Sequence, residues 1–294
     1  MDEAPLRIRP MTTPEDMALV EELQRAVWSG NETEVVPVHM LLAVAQGGGV
    51  ILGAFEGDRL VGMVFGFLGV DEEHPERVAM ARLKHCSHML AVHPAARNRG
   101  IAFELKLAQR RAIVRQGIRL ATWTYDPLLS LNAHLNIRRL GAVCRTYRRD
   151  AYGNMRDGLN AGLASDRFDV EWWVTSHRVE ARLERHRPPL DLVHFLEGGA
   201  QKINSAALRA DGWPEPSETA EPLQGNLLLA EIPPDFQSLR AADLGLARAW
   251  REHSRPLFEA AFQQGYLVTD FVYLRGETSP RAYYILLQGE TTFG

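Results

Sequence analysis

Residues 90–102 read Leu-Ala-Val-His-Pro-Ala-Ala-Arg-Asn-Arg-Gly-Ile-Ala, and no other stretch constrains the fold as strongly. Met89 to Val92 is an apolar run that reads as a strand, and Pro94 stops it. A basic loop with Gly100 follows. Helical spacing then begins at Phe103, with apolar positions at Phe103, Leu105, Leu107, Ala108, Ala112 and Val114. A strand, tight loop and helix in this order aim several backbone N–H groups and the positive end of a helix at one spot, which suits a pyrophosphate. Gly100 fits a place where an anion approaches the backbone, because a Cβ would block it. Arg97 and Arg99 can neutralise further phosphate charge. Arginine is, however, the default cation here: Lys84, Lys106 and Lys202 are the only lysines among 33 basic residues. The order of strand, proline, glycine and helix therefore weighs more than the two arginines.

Composition excludes several classes. A net charge of −4 with dispersed basic residues gives no drive toward nucleic acid or an anionic membrane. Two cysteines, Cys86 and Cys144, make neither a disulfide framework nor a metal spacing, so no metal is expected. No apolar run reaches the roughly 18 residues of a membrane-spanning helix. The opening Met-Asp-Glu-Ala-Pro lacks the basic and apolar parts of a signal peptide, so the cytoplasm is the expected location. The oligomeric state is not set by the sequence, and a homodimer is compatible with it.

Taken in order, Leu6 to Arg9 alternates as a first strand. Thr12-Thr-Pro-Glu-Asp16 starts a helix with apolar positions at Met17, Val20, Leu23 and Val27. Asn31 to Pro37 breaks the pattern, and Val38 to Val44 is a second helix. Val50–Phe55 and Leu60–Leu68 form a hairpin around Glu56-Gly-Asp-Arg59. Asp71 to Glu76 is a charged loop, and Ala81 to Val92 is the next strand. Gly117 caps the long helix, Ile118 to Tyr125 is a strand, and Asp126-Pro127 closes it. Leu128 to Leu140 is a helix stopped by Gly141, and Ala142 to Tyr147 a strand. A loop from Tyr147 to Asp166, a strand from Phe168 to Val174 and an exposed helix from Val179 to His186 follow. Arg187-Pro-Pro189 is a break, and 211–225 reads as a loop. In the last third, Leu227–Ile232, Tyr266–Leu274 and Ala282–Leu287 are strands, and Asp243–Gln263 is a helix.

Arg97-x-x-Gly100-x-Ala102, after Leu-Ala-Val-His-Pro and before a helix, resembles motif A of the GNAT superfamily of acyl-CoA-dependent N-acyltransferases. The segment from Trp123-Thr-Tyr-Asp-Pro to Leu140-Gly-Ala resembles motif B. The resemblance in sequence covers roughly Ala81 to Tyr147, and in pattern residues 1 to about 180. It implies an α/β fold with a mixed, mostly antiparallel sheet flanked by helices as a domain of residues 1–180. A C-terminal α/β extension of residues 181–294 packs on it. Strand, helix, Gly265 and strand in that extension echo the first half, as a decayed second GNAT-like half without the phosphate loop would.

The resemblance also implies roles. The donor is acetyl-CoA or another acyl-CoA, succinyl-CoA among them through a prokaryotic branch with a long C-terminal extension. Leu90, Ala91 and Val92 would pair with the pantetheine arm, and a backbone N–H at Val92 or beside it would serve the oxyanion. Arg97, Asn98, Arg99, Gly100, Ile101 and Ala102 would hold the pyrophosphate. His88, four residues before Val92, matches a histidine of the arylalkylamine branch and is the candidate base; strand alternation puts His85 on the other face. Motif B departs from the family: counting back from Gly141, Ile137 stands where a tyrosine often acts as acid, and Ser130 replaces an asparagine, while Ala133 matches. Asn132 and Asn136, on successive turns of one face, could take over the contact with the cofactor.

Asp126, at a strand end, could bind an ammonium or orient water, or simply start the turn. Tyr125, Tyr147 and Tyr152 are candidate proton donors. Glu171 faces either a cleft or solvent. Arg145, Arg148 and Arg149 are a carboxylate clamp or a solvated edge. The expected function is N-acylation of a small amine, an amino acid among the options. The rivals are an acyl-CoA-binding regulatory protein, favoured by Ile137, and a protein N-acyltransferase using the extension for docking.

Overall fold

The computed structural model describes residues 5–28, 32–72, 75–153, 162–184, 190–217, 221–276 and 279–289. The expected breaks at Asn31 and Arg187–Pro189, the end of the helix at 179–186, and parts of the loops 71–76, 147–166 and 211–225 lie outside these residues, as do residues 1–4. The chain divides into two compact units. The first runs to Trp123 and includes Trp173–Thr175; the second holds the other described residues.

In the first unit the order is β1 (Leu6–Pro10), α1 (Pro14–Val27), α2 (Val38–Gln46), β2 (Val50–Glu56), β3 (Arg59–Val70), β4 (Leu83–Val92), α3 (Ile101–Arg115) and β5 (Leu120–Tyr125, its last two residues in the second unit). The strands lie in chain order and are antiparallel from β1 to β4. α1 starts where the sequence signals it, in a reciprocal cap. Thr13 Oγ1 accepts from Asp16 N at 3.2 Å, and Asp16 Oδ2 accepts from Thr13 N at 3.3 Å. Met17, Val20 and Leu23 of α1 and Leu41 of α2 bury against Ile51, Phe55, Met63, Phe65 and Ala91. β4 and β5 run parallel and pair at His85↔Ala121 and Cys86↔Thr122, and within this unit no further pair joins them among the described residues. α3 is the crossover between them, as a parallel pair requires.

β4 carries a bulge. Phe65 of β3 faces Met89 and the next residue, Gly66, faces Ser87, which leaves His88 as the extra residue. The side-chain phase therefore changes along the strand. Met89 and Ala91 turn into the α1 and α2 cluster, while His85 and Ser87 turn to α3.

The second unit has α4 (Ser130–Ala133), which continues as a π-helix over His134–Arg139, then β6 (Val143–Arg148), β7 (Arg167–Trp173, its last residue in the first unit), α5 (His177–Glu184) and α6 (Leu192–Glu197). The short strands β8 (Gln201–Lys202), β9 (Ala206–Leu208) and β10 (Pro214–Pro216) follow, then β11 (Leu227–Ile232), α7 (Phe236–Ala242), α8 (Leu244–Gln263), β12 (Tyr266–Leu274) and β13 (Arg281–Gln288). Its strand order is β7-β6-β12-β13-β11-β8. β13 lies between β11 and β12 and is antiparallel to both. In the first unit, by contrast, the strands flanking α3 pair directly. The helix expected over Leu128–Leu140 is thus part α and part π, and β10 falls where a loop was expected. Phe168 forms the centre of an aromatic core, with ring centroids 4.8 Å from Phe258, 5.5 Å from Tyr284 and 5.9 Å from both Tyr125 and Tyr147. No described helix is long and apolar enough to cross a membrane.

Candidate functional site

The loop between β4 and α3 is exposed from Arg97 to Gly100. His93 Nδ1 accepts from Ala95 N at 3.2 Å and turns the chain out of β4. Asn98 (φ 64°) and Gly100 (φ 79°) are both left-handed, a state asparagine tolerates and glycine adopts freely. Gly100 is the N-cap of α3, so the first N–H groups of the helix have no intrahelical acceptor and point outward. A Cβ built on Gly100 meets nothing within 4 Å, which leaves that space open to a ligand. Of the two arginines, Arg99 pairs with Glu56 at 2.6 Å, whereas Arg97 Nε reaches only the Val92 carbonyl at 3.5 Å. Arg97 is the better placed to meet an incoming phosphate. On the resemblance to motif A, Gly100→Val is expected to weaken CoA binding at least about tenfold because the side chain fills the open space, while the positive φ adds strain of about 1–2 kcal/mol to the fold itself. Unaltered affinity in a calorimetric titration would count against the anion loop.

His88, on the bulge, is exposed, with its ring 5.5 Å from Phe65 at 90° and 5.9 Å from Phe67. Desolvation against these rings lowers its pKa below 6.5, so the neutral imidazole is the resting form at pH 7. His85, as expected, is on the other face. It is fully buried, its pKa is pushed down to about 4 by burial and by Lys106, and Gln109 Nε2 donates to its Nε2 at 3.0 Å. Leu90, Ala91 and Val92 share this strand, and Ile101 and Ala102 open the helix, so the first unit places His88 and 90–102 on one continuous strand, loop and helix.

In the second unit the expectations change. Asp126 is not a free carboxylate. Its Oδ1 accepts from Leu128 N and from Arg251 Nη1, both at 2.9 Å, and Oδ2 accepts from Arg251 Nη2. Both residues are buried, at 8% and 3% exposure. The role of base or ammonium ligand gives way to that of a turn former and ion-pair partner. Tyr125 is buried as well: its hydroxyl donates to Tyr284 Oη at 3.0 Å, which in turn donates to Pro127 O. Burial raises the Tyr125 pKa well above 10. It is a core tyrosine rather than a proton donor in a cleft.

The helix that carries the two asparagines changes from α to π between them. Leu140 N donates to Leu135 O, five residues back, so the helix carries more residues per turn than an α-helix. Asn132, in the α-turn, is half-buried and Asn136, in the π-turn, is buried. Ile137 is fully buried. Tyr147 donates to Asp166 at 2.6 Å, and Tyr152, exposed, shares a bond with Thr124 Oγ1 at 2.7 Å. Arg145, Arg148 and Arg149 each hold a carboxylate: Glu171, Asp169 and Glu259. The three arginines are a solvated edge, and Glu171 is accounted for by Arg145.

Sequence reasoning missed a buried polar cluster under α3, formed by Ser87, Lys106 and Gln109 together with His85. A signal existed. Lys106, Gln109 and Ile113 follow the inward stripe of the helix, in a chain that otherwise uses arginine for nearly every cation.

No family model and no curated protein matches the sequence. Among solved structures, an N-acetyltransferase from Staphylococcus aureus Mu50 is 14% identical and covers 58% of this chain and 100% of its own, with a TM-score of 0.46. An acetyltransferase of the GNAT family from Streptococcus pneumoniae is 16% identical over 57% of this chain and 98% of its own, with a TM-score of 0.43. The ribosomal-protein-S18-alanine N-acetyltransferase from Escherichia coli is 11% identical over 58% and 94%, with a TM-score of 0.44. The chain is similar to these acetyltransferases over little more than half its length.

Proposed function

We propose that this chain is an acyl-CoA-dependent N-acyltransferase of the GNAT superfamily, with residues 1–180 as the transferase domain. It transfers an acetyl or succinyl group to the amine of a small molecule, an amino acid among the candidates, in the cytoplasm. The observation that carries this reading is the left-handed Gly100 cap with open space above it. It opens α3 directly after a strand whose sequence resembles motif A.

In this reading the Asn98–Ala102 backbone and Arg97 bind the pyrophosphate. The β5-facing edge of Leu90–Val92 accepts the pantetheine arm, and a backbone N–H of β4 meets the oxyanion. An ammonium has no lone pair, so the acceptor must lose a proton before its nitrogen attacks the thioester carbonyl. His88 takes that proton, directly or through one water. Its lowered pKa keeps it in the accepting form at neutral pH. The C–S bond then breaks, and the departing CoA thiolate takes up the second proton that the nitrogen sheds as the amide forms. Holding thioester and amine together supplies much of the remaining rate.

A thermal-shift titration with CoA, acetyl-CoA and succinyl-CoA tests the reading, since a ligand of the folded state raises Tm by mass action. Stabilisation by these ligands is expected, and no shift with any of them would overturn it. For the base, His88→Ala should reduce turnover at pH 7 by about a hundredfold or more while leaving CoA affinity within a factor of about two. Unchanged turnover would remove His88 from the mechanism.

A further inference from the structure

Lys106 is the one lysine that the described structure buries, at 2% exposure. Its Nζ donates to Ser87 Oγ at 2.8 Å and to Gln109 Oε1 at 3.2 Å, and lies 3.6 Å from the centre of the Trp123 ring. Ser87 Oγ donates to the same Gln109 oxygen at 3.1 Å, and Gln109 Nε2 donates to His85 Nε2. The remaining His85 proton then sits on Nδ1, a buried atom without a hydrogen-bond partner. Two of the three ammonium protons are therefore well used, and the third meets only the indole face. Trp123 is itself half-buried. From β4 the titratable neighbour is His85, from α3 it is none beyond Lys106 itself, and from β5 the indole carries no charge. No carboxylate faces the ammonium among the described residues, which is unusual for a buried cation.

The position matters as much as the missing charge. Ser87 and Trp123 are the residues immediately after the last pair that joins β4 to β5, Cys86↔Thr122. The anion loop follows the other end of β4, after Val92. On the acyl-CoA reading, an arm anchored at that loop and paired along β4 runs from Val92 back to Ser87. That is five residues, about 17 Å of strand at 3.3 Å per residue. Its acyl end arrives where Lys106 points.

We infer that the acyl donor carries a terminal carboxylate, as in a dicarboxylic monothioester of CoA, and that Lys106 with Ser87 binds that carboxylate. This rests on the acyl-CoA reading and narrows it. The carboxylate takes the third ammonium proton in place of the indole and supplies the missing counter-charge. Acetyl-CoA offers nothing to this group.

The supporting chemistry has a distinct signature. Burial brings the Lys106 pKa down to about 7, so at pH 8 most free protein holds a neutral amine there. A carboxylate favours the ammonium, and binding it at pH 8 takes up close to one proton.

The experiment is a calorimetric titration of the full chain at pH 8 with CoA, acetyl-CoA and succinyl-CoA, repeated in two buffers of different ionisation enthalpy. Succinyl-CoA is expected to bind about ten- to a hundredfold more tightly than acetyl-CoA, with proton uptake that CoA and acetyl-CoA do not show. Lys106→Met should abolish both the preference and the uptake, and Lys106→Arg, which cannot deprotonate, should keep the preference without the uptake. Equal affinity of the wild type for succinyl- and acetyl-CoA, or succinyl-CoA binding without proton uptake, would overturn the inference and leave the acyl-CoA reading standing. Failure of all three to bind would instead overturn the reading beneath it, and the inference with it.

Discussion

Arg251→Met is expected to destabilise the second unit by about 3–5 kcal/mol, the cost of leaving one buried charge without its partner. The guanidinium lies under cover, with Cζ 5.5 Å from the Phe236 ring, and gives both terminal nitrogens to Asp126. Removing it leaves a carboxylate with 8% exposure and only the Leu128 N–H for company. A double variant, Asp126→Leu with Arg251→Met, should recover much of the loss, since two apolar side chains need no counter-charge. Urea unfolding followed by tryptophan fluorescence measures both. A loss below about 1 kcal/mol for the single variant would mean that the pair is solvated. The same experiment bears on function. Asp126→Asn should lower stability more than it lowers turnover per folded molecule, the reverse of what a proton-transferring carboxylate would give.

A second large effect concerns pH. Lys106 titrates near 7 in the folded chain against an ordinary 10.5, and His85 near 4 against 6.5. In both cases the unfolded chain holds the proton more tightly, so stability rises with pH across each window. Wild type should gain stability from pH 4 to 6.5 through His85, by about 3 kcal/mol at most. From pH 7 to 10.5 it should gain a further 5 kcal/mol at most, roughly, through Lys106. Lys106→Met should flatten the upper window and keep the lower one. The variant would then be the more stable protein at pH 7, and its advantage would vanish near pH 10.5, apart from the contacts that Ser87 and Gln109 lose. Tm measured across this range decides the matter; an unchanged upper slope would place the titration elsewhere.

Much of this architecture was legible because its signals are local. Thr13, Pro14 and Asp16 start α1, Gly117 ends α3, and the largely apolar run Leu227–Ile232 before Pro233 marks β11 to the residue. The loop between β4 and α3 was readable for the same reason, since strand, turn and helix start within a dozen residues. What escaped was set by distance or by backbone phase. The partner of Asp126 is 125 residues away, and nothing around the Asp-Pro turn announces it. Counting back from Gly141 assumed α spacing, which the π-helix between His134 and Arg139 does not keep. Ser87 shares the His85 face by plain alternation, whereas the bulge at His88 is what turns Met89 and Ala91 to the opposite cluster. Short strands such as β9 and β10, of three residues each, carry too little pattern to read.

The central position of β13 has a consequence for how the chain is made. β11 leaves the ribosome first and β12 some thirty residues later, yet in the folded sheet neither pairs with the other. Each must wait with an open ladder until the segment from Arg281 to Gln288 arrives and closes both at once. Until then two apolar edges are available to the wrong neighbour, including the same edges on another nascent chain. A stop codon shortly before Arg281 should therefore cost more than the loss of one peripheral strand. It should yield a chain whose first unit can still form, while its second aggregates.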